Sequence, residues 1–298
     1  MNLNVGSDFG PLITAVVTPF DEYGQVELAQ FEQLLAHLLA HQSTALVVTG
    51  TTGESPTLNS IERLRIWESA VDFAFGKVPI IAGIGTNNTK TTIHNAKLAE
   101  EAEVDALLVV VPYYNKPSQK GLIAHFKMVA KNTDLPIILY NIPARCGTGL
   151  QVETILELAK VPNIIGIKES TGELELLTKL KLLLPDEFLL YSGDDALYLE
   201  TLKLGGAGVI SVASHLVGKK MKRIFDLLRA GWTPEAEALN ARLVPFYQAV
   251  FTHPNPSPIK ALLTQYGIDV GNVRLPLVGL EAYEKEELWQ AVETLIDD

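Results

Sequence analysis

A single cysteine, Cys146, stands in 298 residues, which excludes an intrachain disulfide framework and suits a reducing compartment. Basic residues are in deficit: 24 Lys and Arg face 35 Asp and Glu, a formal net charge of -11. That balance argues against a general nucleic-acid binder, since phosphate backbones reward basic surfaces. It leaves room for a small anionic substrate held by one local cation. No apolar run reaches the length of a membrane span. The opening MNLNVGSDFGP shows no basic segment followed by an apolar one, so the expectation is a cytoplasmic chain with no membrane partner. Gly/Ser tracts, low-complexity segments and long charge blocks are missing too. With 47% hydrophobic and 20% charged residues, the chain has material for a full core and is too apolar for disorder.

Metal-ligand spacing is also wanting. His94, His125, His215 and His253 keep no ligand spacing with Cys, Asp or Glu. His37 and His41 are four apart, but their helix end precedes a strand and so lies on the face away from catalysis; we read them as a packing and a helix-end residue. Neither a metal nor a cofactor is expected. Cys146 has only the adjacent Arg145 as a basic neighbour and is read as incidental.

What is present is repetition. Apolar runs lie at 12–20, 45–50, 79–85, 106–112, 136–142, 164–170, 188–194 and 207–213. Amphipathic stretches such as LAQFEQLLAHLLAHQ and SIERLRIWESAVDFAF separate them at helical spacing. Strand and helix repeated to eight is the count of a closed TIM (β/α)8 barrel, an α/β fold; an open doubly wound sheet usually has fewer strands and an early Gly-rich dinucleotide turn. The barrel is expected over 1–230 and a C-terminal helical extension over 231–298, packed as a single structural unit.

Active sites of such barrels sit at the C-terminal ends of the strands, and the unusual residues gather there. NIIGIKEST (163–171) reads as a buried strand until Lys168. Two readings stay open: the stem snorkels to solvent, or the amine is held inside, where burial disfavours its charged form and leaves a nucleophile for a carbonyl. By alternation Gly166 and Lys168 share one face, Ile165 and Ile167 the other, and Gly166 would leave room for an inward lysine. GTTGES sets Thr51 and Thr52 between Gly50 and Gly53, either a plain turn or a cradle for a carboxylate. The adjoining Asn59 and Glu62 form a capping-box pattern, a structural role. Tyr140 ends the fifth run, as a core tyrosine or a proton carrier. Arg145 lies in a loop otherwise without charge, solvated or gripping a carboxylate. Asp194 and Asp195 close the seventh run where barrels often hold phosphate, so the substrate is not expected to be phosphorylated; their expected role is hydrogen bonding to loop backbone.

GTTGES, PYYNKPSQKGL, YNIPARCG, GIKEST, SGDD, GVISV and NPSPIK together resemble the 4-hydroxy-tetrahydrodipicolinate synthase (dihydrodipicolinate synthase) family, a class I aldolase-like group of barrels, over nearly the whole chain. The resemblance implies condensation of pyruvate with aspartate-4-semialdehyde in lysine biosynthesis. It makes Lys168 the Schiff-base lysine and Tyr140 the proton donor and acceptor, in relay with Thr51 and with Tyr114 from a neighbouring subunit. It makes Thr52 the pyruvate carboxylate binder, with Gly193 and Ile210 shaping that pocket, and Arg145 the holder of the semialdehyde carboxylate. It also implies a homotetramer, a dimer of dimers. Ser55, Asn87 and Tyr113 match the family's lysine feedback site, but Ser60 and Thr91 stand where many members have histidine and glutamate, which predicts weaker feedback. Two rivals are weighed beside it: a sister lyase acting on a polyhydroxylated acceptor, such as N-acetylneuraminate lyase, and a barrel kept only as a binding scaffold.

Overall fold

The computed structural model describes residues 9–297. Residues 1–8 of the opening stretch, on which the leader expectation rests, and residue 298 lie outside the described residues. The eight strands are β1 (Leu12–Ala15), β2 (Ala45–Val48), β3 (Ile80–Gly83), β4 (Ala106–Val110), β5 (Ile137–Asn141), β6 (Ile164–Glu169), β7 (Leu189–Ser192) and β8 (Gly208–Ser211). Each falls inside one of the apolar runs. All neighbours are parallel, and β8 pairs with β1, so the sheet closes in the order of the chain.

The helices that follow the strands are α1 (Leu28–Ala40), α2 (Ser60–Ala74), α3 (Thr89–Glu101), α4 (Gln119–Ala130), α5 (Pro143–Cys146), α6 (Val152–Leu158), α7 (Leu174–Leu183), α8 (Tyr198–Lys203) and α9 (Ser214–Arg229). Two were not anticipated: α5 is one turn long, and α8, between β7 and β8, has six residues, both too short for a 3.6-residue periodicity to register. Beyond α9 come α10 (Thr233–Ala249), α11 (Ser257–Tyr266) and α12 (Ala282–Val292), the expected helical extension. No helix among the described residues is long and apolar enough to cross a membrane.

Closure divides the apolar residues into two populations, because successive strand side chains point to opposite faces. One fills the barrel and includes Ile13, Val47, Ile81, Leu108, Ile138, Tyr140, Leu189, Tyr191 and Ile210. The other lies between strands and helices, where Leu46, Ile80, Leu107 and Ile137 meet Leu34, Leu38 and Trp67. Trp67 is fully buried and its indole N–H donates to Thr49 Oγ1 (2.8 Å), which fixes α2 against the loop after β2. The capping box is present: Asn59 Oδ1 accepts from Glu62 N (3.0 Å) and Glu62 Oε2 from Asn59 N (2.9 Å). His37 Nε2 meets the His215 carbonyl (2.7 Å) and His41 caps the C-terminus of α1, the structural roles expected of both.

Strand β6 corrects one step of the alternation argument. Ile137 pairs with Ile164 but Ile138 with Gly166, so Ile165 is an extra residue at a bulge and packs toward the barrel interior instead of sharing the outer face with Ile167. From Gly166 onward the alternation holds, with Ile138 beside Gly166 and Tyr140 beside Lys168, all facing inward. Nor does Gly166 make room for the lysine. A Cβ there would lie 2.7 Å from Leu189 Cβ and from the Leu189 carbonyl oxygen, so the missing side chain accommodates β7. Gly166→Ala is therefore expected to cost about 1–3 kcal/mol through overpacking, read as a lower urea midpoint for the variant than for the wild type.

Candidate active site

Tyr140 and Lys168 occupy registered positions near the C-terminal ends of β5 and β6. Parallel pairing sends both side chains to the same face, here the barrel interior, with Lys168 6% and Tyr140 5% exposed. The Lys168 ammonium group is 4.4 Å from the centroid of the phenol ring. The snorkelling alternative is thereby excluded: the amine ends inside the barrel, over an aromatic face. Gly193, after β7, provides its clearance, since a Cβ there would overlap Ser170 Oγ and come within 2.7 Å of Lys168 Cε. Ser170 Oγ is itself buried, with no hydrogen-bond partner among the described residues.

The turn after β2 is shaped by close packing. A Cβ on Gly83 would lie 2.5 Å from the Thr49 carbonyl oxygen and 2.8 Å from Gly50 Cα, so the end of β3 must lack a side chain for the turn to rest on it. Glu54 N donates to the Thr51 carbonyl and Ser55 N to the Gly50 carbonyl, both at 3.1 Å, closing the turn. Thr18 Oγ1 donates to the Gly53 carbonyl at 2.7 Å. Thr51 is half-buried and faces the cavity, whereas Thr52 is buried and its Oγ1 accepts from Asn255 Nδ2.

A cavity of about 870 Å³ opens above the strand ends, and Thr51, Tyr140, Tyr113, Tyr114, Arg145 and Lys116 all line it. Arg145 is carried by α5 and is exposed at the mouth. Tyr114, in the left-handed region at φ 72°, is 87% exposed. Lys168, Thr52, Gly193 and Ile210 are not among the lining residues; Ile210 belongs to the barrel interior beside Ile13. The proposed lysine-site residues separate as well. Ser55 and Tyr113 line the cavity, while Asn87 does not, and its carbonyl accepts from Asn115 Nδ2 (2.9 Å). Ser60 and Thr91 are exposed in the first turns of α2 and α3.

Several residues went unassigned in the sequence. Lys116, inside PYYNKPS, adds a second cation to the cavity wall beside Gly147, signalled only by its place in that motif. Arg63 is buried, donating to the carbonyls of Ser55, Leu58 and Gly83, and nothing in its helical sequence context marks it. Asn255 begins the quoted NPSPIK, far from the other motifs in sequence. Glu169, next to the lysine on the outer face, accepts from Asn141 Nδ2 (2.8 Å), and burial raises its pKa. Cys146 donates to the Val111 carbonyl (3.2 Å), and burial pushes its thiol up to about 11, so it is no nucleophile at neutral pH.

The profile of the Dihydrodipicolinate synthetase family matches residues 8–295. The chain belongs to that family. It is 46% identical over 289 residues to the 4-hydroxy-tetrahydrodipicolinate synthase of Bacillus subtilis, covering 97% of this chain and 100% of the relative. Among solved structures it is similar to a dihydrodipicolinate synthase of Bacillus anthracis, with a TM-score of 0.94 and 41% identity over 96% of this chain and 98% of the other. It is also similar to the enzyme of Cyanidioschyzon merolae with lysine bound, with a TM-score of 0.93 and 42% identity over the same shares, 96% and 98%.

Asp194 and Asp195 bind loop backbone as expected. Asp194 Oδ1 accepts from Ala196 N (3.0 Å); Asp195 Oδ2 accepts from Ala213 N (2.9 Å) and Val212 N (3.2 Å). Asp195 is fully buried, and burial outweighs these bonds and raises its pKa from 3.8 to about 6. Between those values the folded chain binds the proton more readily than the unfolded one. The stabilising contribution is therefore present below the lower value and is lost as pH rises through the upper. Acidification from about pH 7 to about pH 5 is expected to stabilise the wild type relative to Asp195→Asn, read from urea midpoints of both proteins at each pH.

Proposed function

We infer that this chain condenses pyruvate with L-aspartate-4-semialdehyde to give 4-hydroxy-tetrahydrodipicolinate, a step of lysine biosynthesis through diaminopimelate. The observation that carries the reading is the enclosed amine of Lys168, 4.4 Å from the Tyr140 ring on adjacent registered strands. The names of the relatives point to the same reaction and favour it over the sister lyases. A barrel retained only as a scaffold would have no use for a buried lysine beside a buried tyrosine at the catalytic face.

In this reading the uncharged Lys168 amine attacks C2 of pyruvate, and the carbinolamine loses water to give an iminium ion. A proton leaves C3, and the resulting enamine forms a carbon–carbon bond to the aldehyde carbon of the semialdehyde, whose oxygen takes up a proton. The amino group of the acceptor then attacks C2 and releases the lysine as the ring closes. Tyr140, with Thr51 and a Tyr114 from a second copy, moves the protons these steps require. Thr52 and the turn around it take the pyruvate carboxylate, while Gly193 and Ile210 bound the small end of the site. Arg145 holds the acceptor's carboxylate, with bidentate geometry available to its guanidinium. Because Lys168 supplies the covalent chemistry, the mechanism calls for no cofactor.

A homotetramer fits two exposed surfaces. Tyr114 presents a bare aromatic at the cavity mouth, and α7 presents Leu182 and Leu183 to solvent; such apolar exposure marks contact sites. The cytoplasm suits a chain with one thiol. A boundary near residue 230, where α9 ends, suits a barrel and an extension built as one unit. Lysine would bind weakly at Ser55, Asn87 and Tyr113, for Ser60 and Thr91 bring no carboxylate and the buried cation of Arg63 lies against Ser55.

Steady-state kinetics with pyruvate and either acceptor test the assignment. Turnover is expected with aspartate-4-semialdehyde and not with N-acetylmannosamine, and Tyr140→Phe is expected to lower kcat by roughly 10²–10⁴-fold, the range for a positioned proton carrier. Turnover by that variant near the wild-type rate would remove Tyr140 from the relay.

A further inference from the structure

The C-terminal extension reaches the turn after β2 with three side chains. Asn255, in the segment between α10 and α11, is buried and donates through Nδ2 to Thr52 Oγ1 at 2.9 Å. Lys260, in α11, is buried with its ammonium group 2.9 Å from Glu54 Oε1 and donating to the Asn272 carbonyl at 2.9 Å. Arg274 N donates to the second oxygen, Glu54 Oε2, at 2.8 Å, and its guanidinium pairs with Glu62 of the capping box. Both cations lie against the Phe20 ring, at 4.3 and 4.2 Å. Glu54 holds φ 54° and ψ 36°, a left-handed conformation costing of order 1–3 kcal/mol in a residue with a side chain, and one that persists only where its surroundings impose it. The turn that carries Thr51 and Thr52 is thus clamped from a part of the chain some 200 residues away.

The direction of the Asn255 bond matters chemically. A hydroxyl has one proton to give and lone pairs to receive. With the amide N–H directed at Thr52 Oγ1, the threonine is an acceptor on that side and its own proton stays free for a ligand. Asn255 Oδ1 is buried and has no hydrogen-bond partner among the described residues, so Nδ2 makes the amide's contact with the turn.

We propose that Asn255 is a positioning residue for the condensation: its amide reserves the Thr52 hydroxyl proton for the carboxylate of the keto acid, and the Glu54–Lys260 pair holds the turn in place for it. The inference rests on the reading of Thr52 as the carboxylate binder. Kinetics of Asn255→Ala, Thr52→Val and the double variant, with pyruvate and aspartate-4-semialdehyde varied separately, test both and tell them apart. Asn255→Ala is expected to raise the pyruvate KM about tenfold, the scale of one hydrogen bond in a desolvated site. The semialdehyde KM should stay within about twofold, and the double variant should be no worse than Thr52→Val, because the two residues act as one unit. If Thr52→Val raises the pyruvate KM and Asn255→Ala does not, or if the two effects add, the positioning role is overturned while the carboxylate reading stands. If Thr52→Val itself leaves that KM unchanged, the carboxylate reading falls and the inference with it. Should the alanine variant not fold, Asn255→Leu applies the same test: near-isosteric and uncharged, it removes the donor and leaves the packing. A raised pyruvate KM then supports the role, and an unchanged one overturns it.

Discussion

A lysine amine enclosed by a parallel barrel and laid over a tyrosine ring is the arrangement on which the rest of the molecule depends. It requires that β5 and β6 run in register at their C-terminal ends, since a slip of one residue would turn Lys168 to the helix side and leave Tyr140 alone inside. The register follows from the bulge at Ile165, below which the pairing is offset by one. It requires also that β7 be followed by a residue with no side chain, for a Cβ on Gly193 would overlap Ser170 Oγ and crowd Lys168 Cε at 2.7 Å. Closure supplies the remainder by burying the lysine stem and leaving the amine over the Tyr140 ring.

The surrounding polar structure is ordered around that floor. Rigid strands end in loops held by buried hydrogen bonds, and those loops carry the groups that would bind and move protons. The turn after β2 is fixed from three sides: Thr18 on β1's loop, Gly83 beneath it, and Asn255, Lys260 and Arg274 from the extension. Burial brings the Lys260 amine down to about 8 even with a carboxylate beside it. The cost of desolvating both charges offsets much of the attraction in such a pair. The extension is therefore joined to the turn after β2 as well as to the outer surface of the barrel.

Much of this was legible in the sequence, and the reasons are physical. Eight apolar runs alternating with amphipathic stretches, and no early Gly-rich dinucleotide turn, match the count of a closed barrel, in which the loops after the strands share one end. Lys168 stands out as a charged group ending a β-branched run, and Tyr140 as a phenol at the end of its own. Other features were not legible. The bulge at Ile165 depends on pairing with a neighbouring strand, which period-2 reading cannot detect. The clearance for the lysine comes from Gly193, just beyond the neighbouring strand β7, and the sequence points instead to the nearby Gly166. Asn255 and Arg63 work through contacts distant in sequence or through backbone carbonyls, so neither leaves a local pattern.

Trapping the covalent intermediate tests the central claim most directly. Borohydride reduction in the presence of pyruvate, followed by peptide mass analysis, is predicted to leave one reduced adduct, on the peptide containing Lys168, and none in Lys168→Arg, whose guanidinium keeps its charge. An adduct on any other lysine, or none on the wild type, would contradict the account.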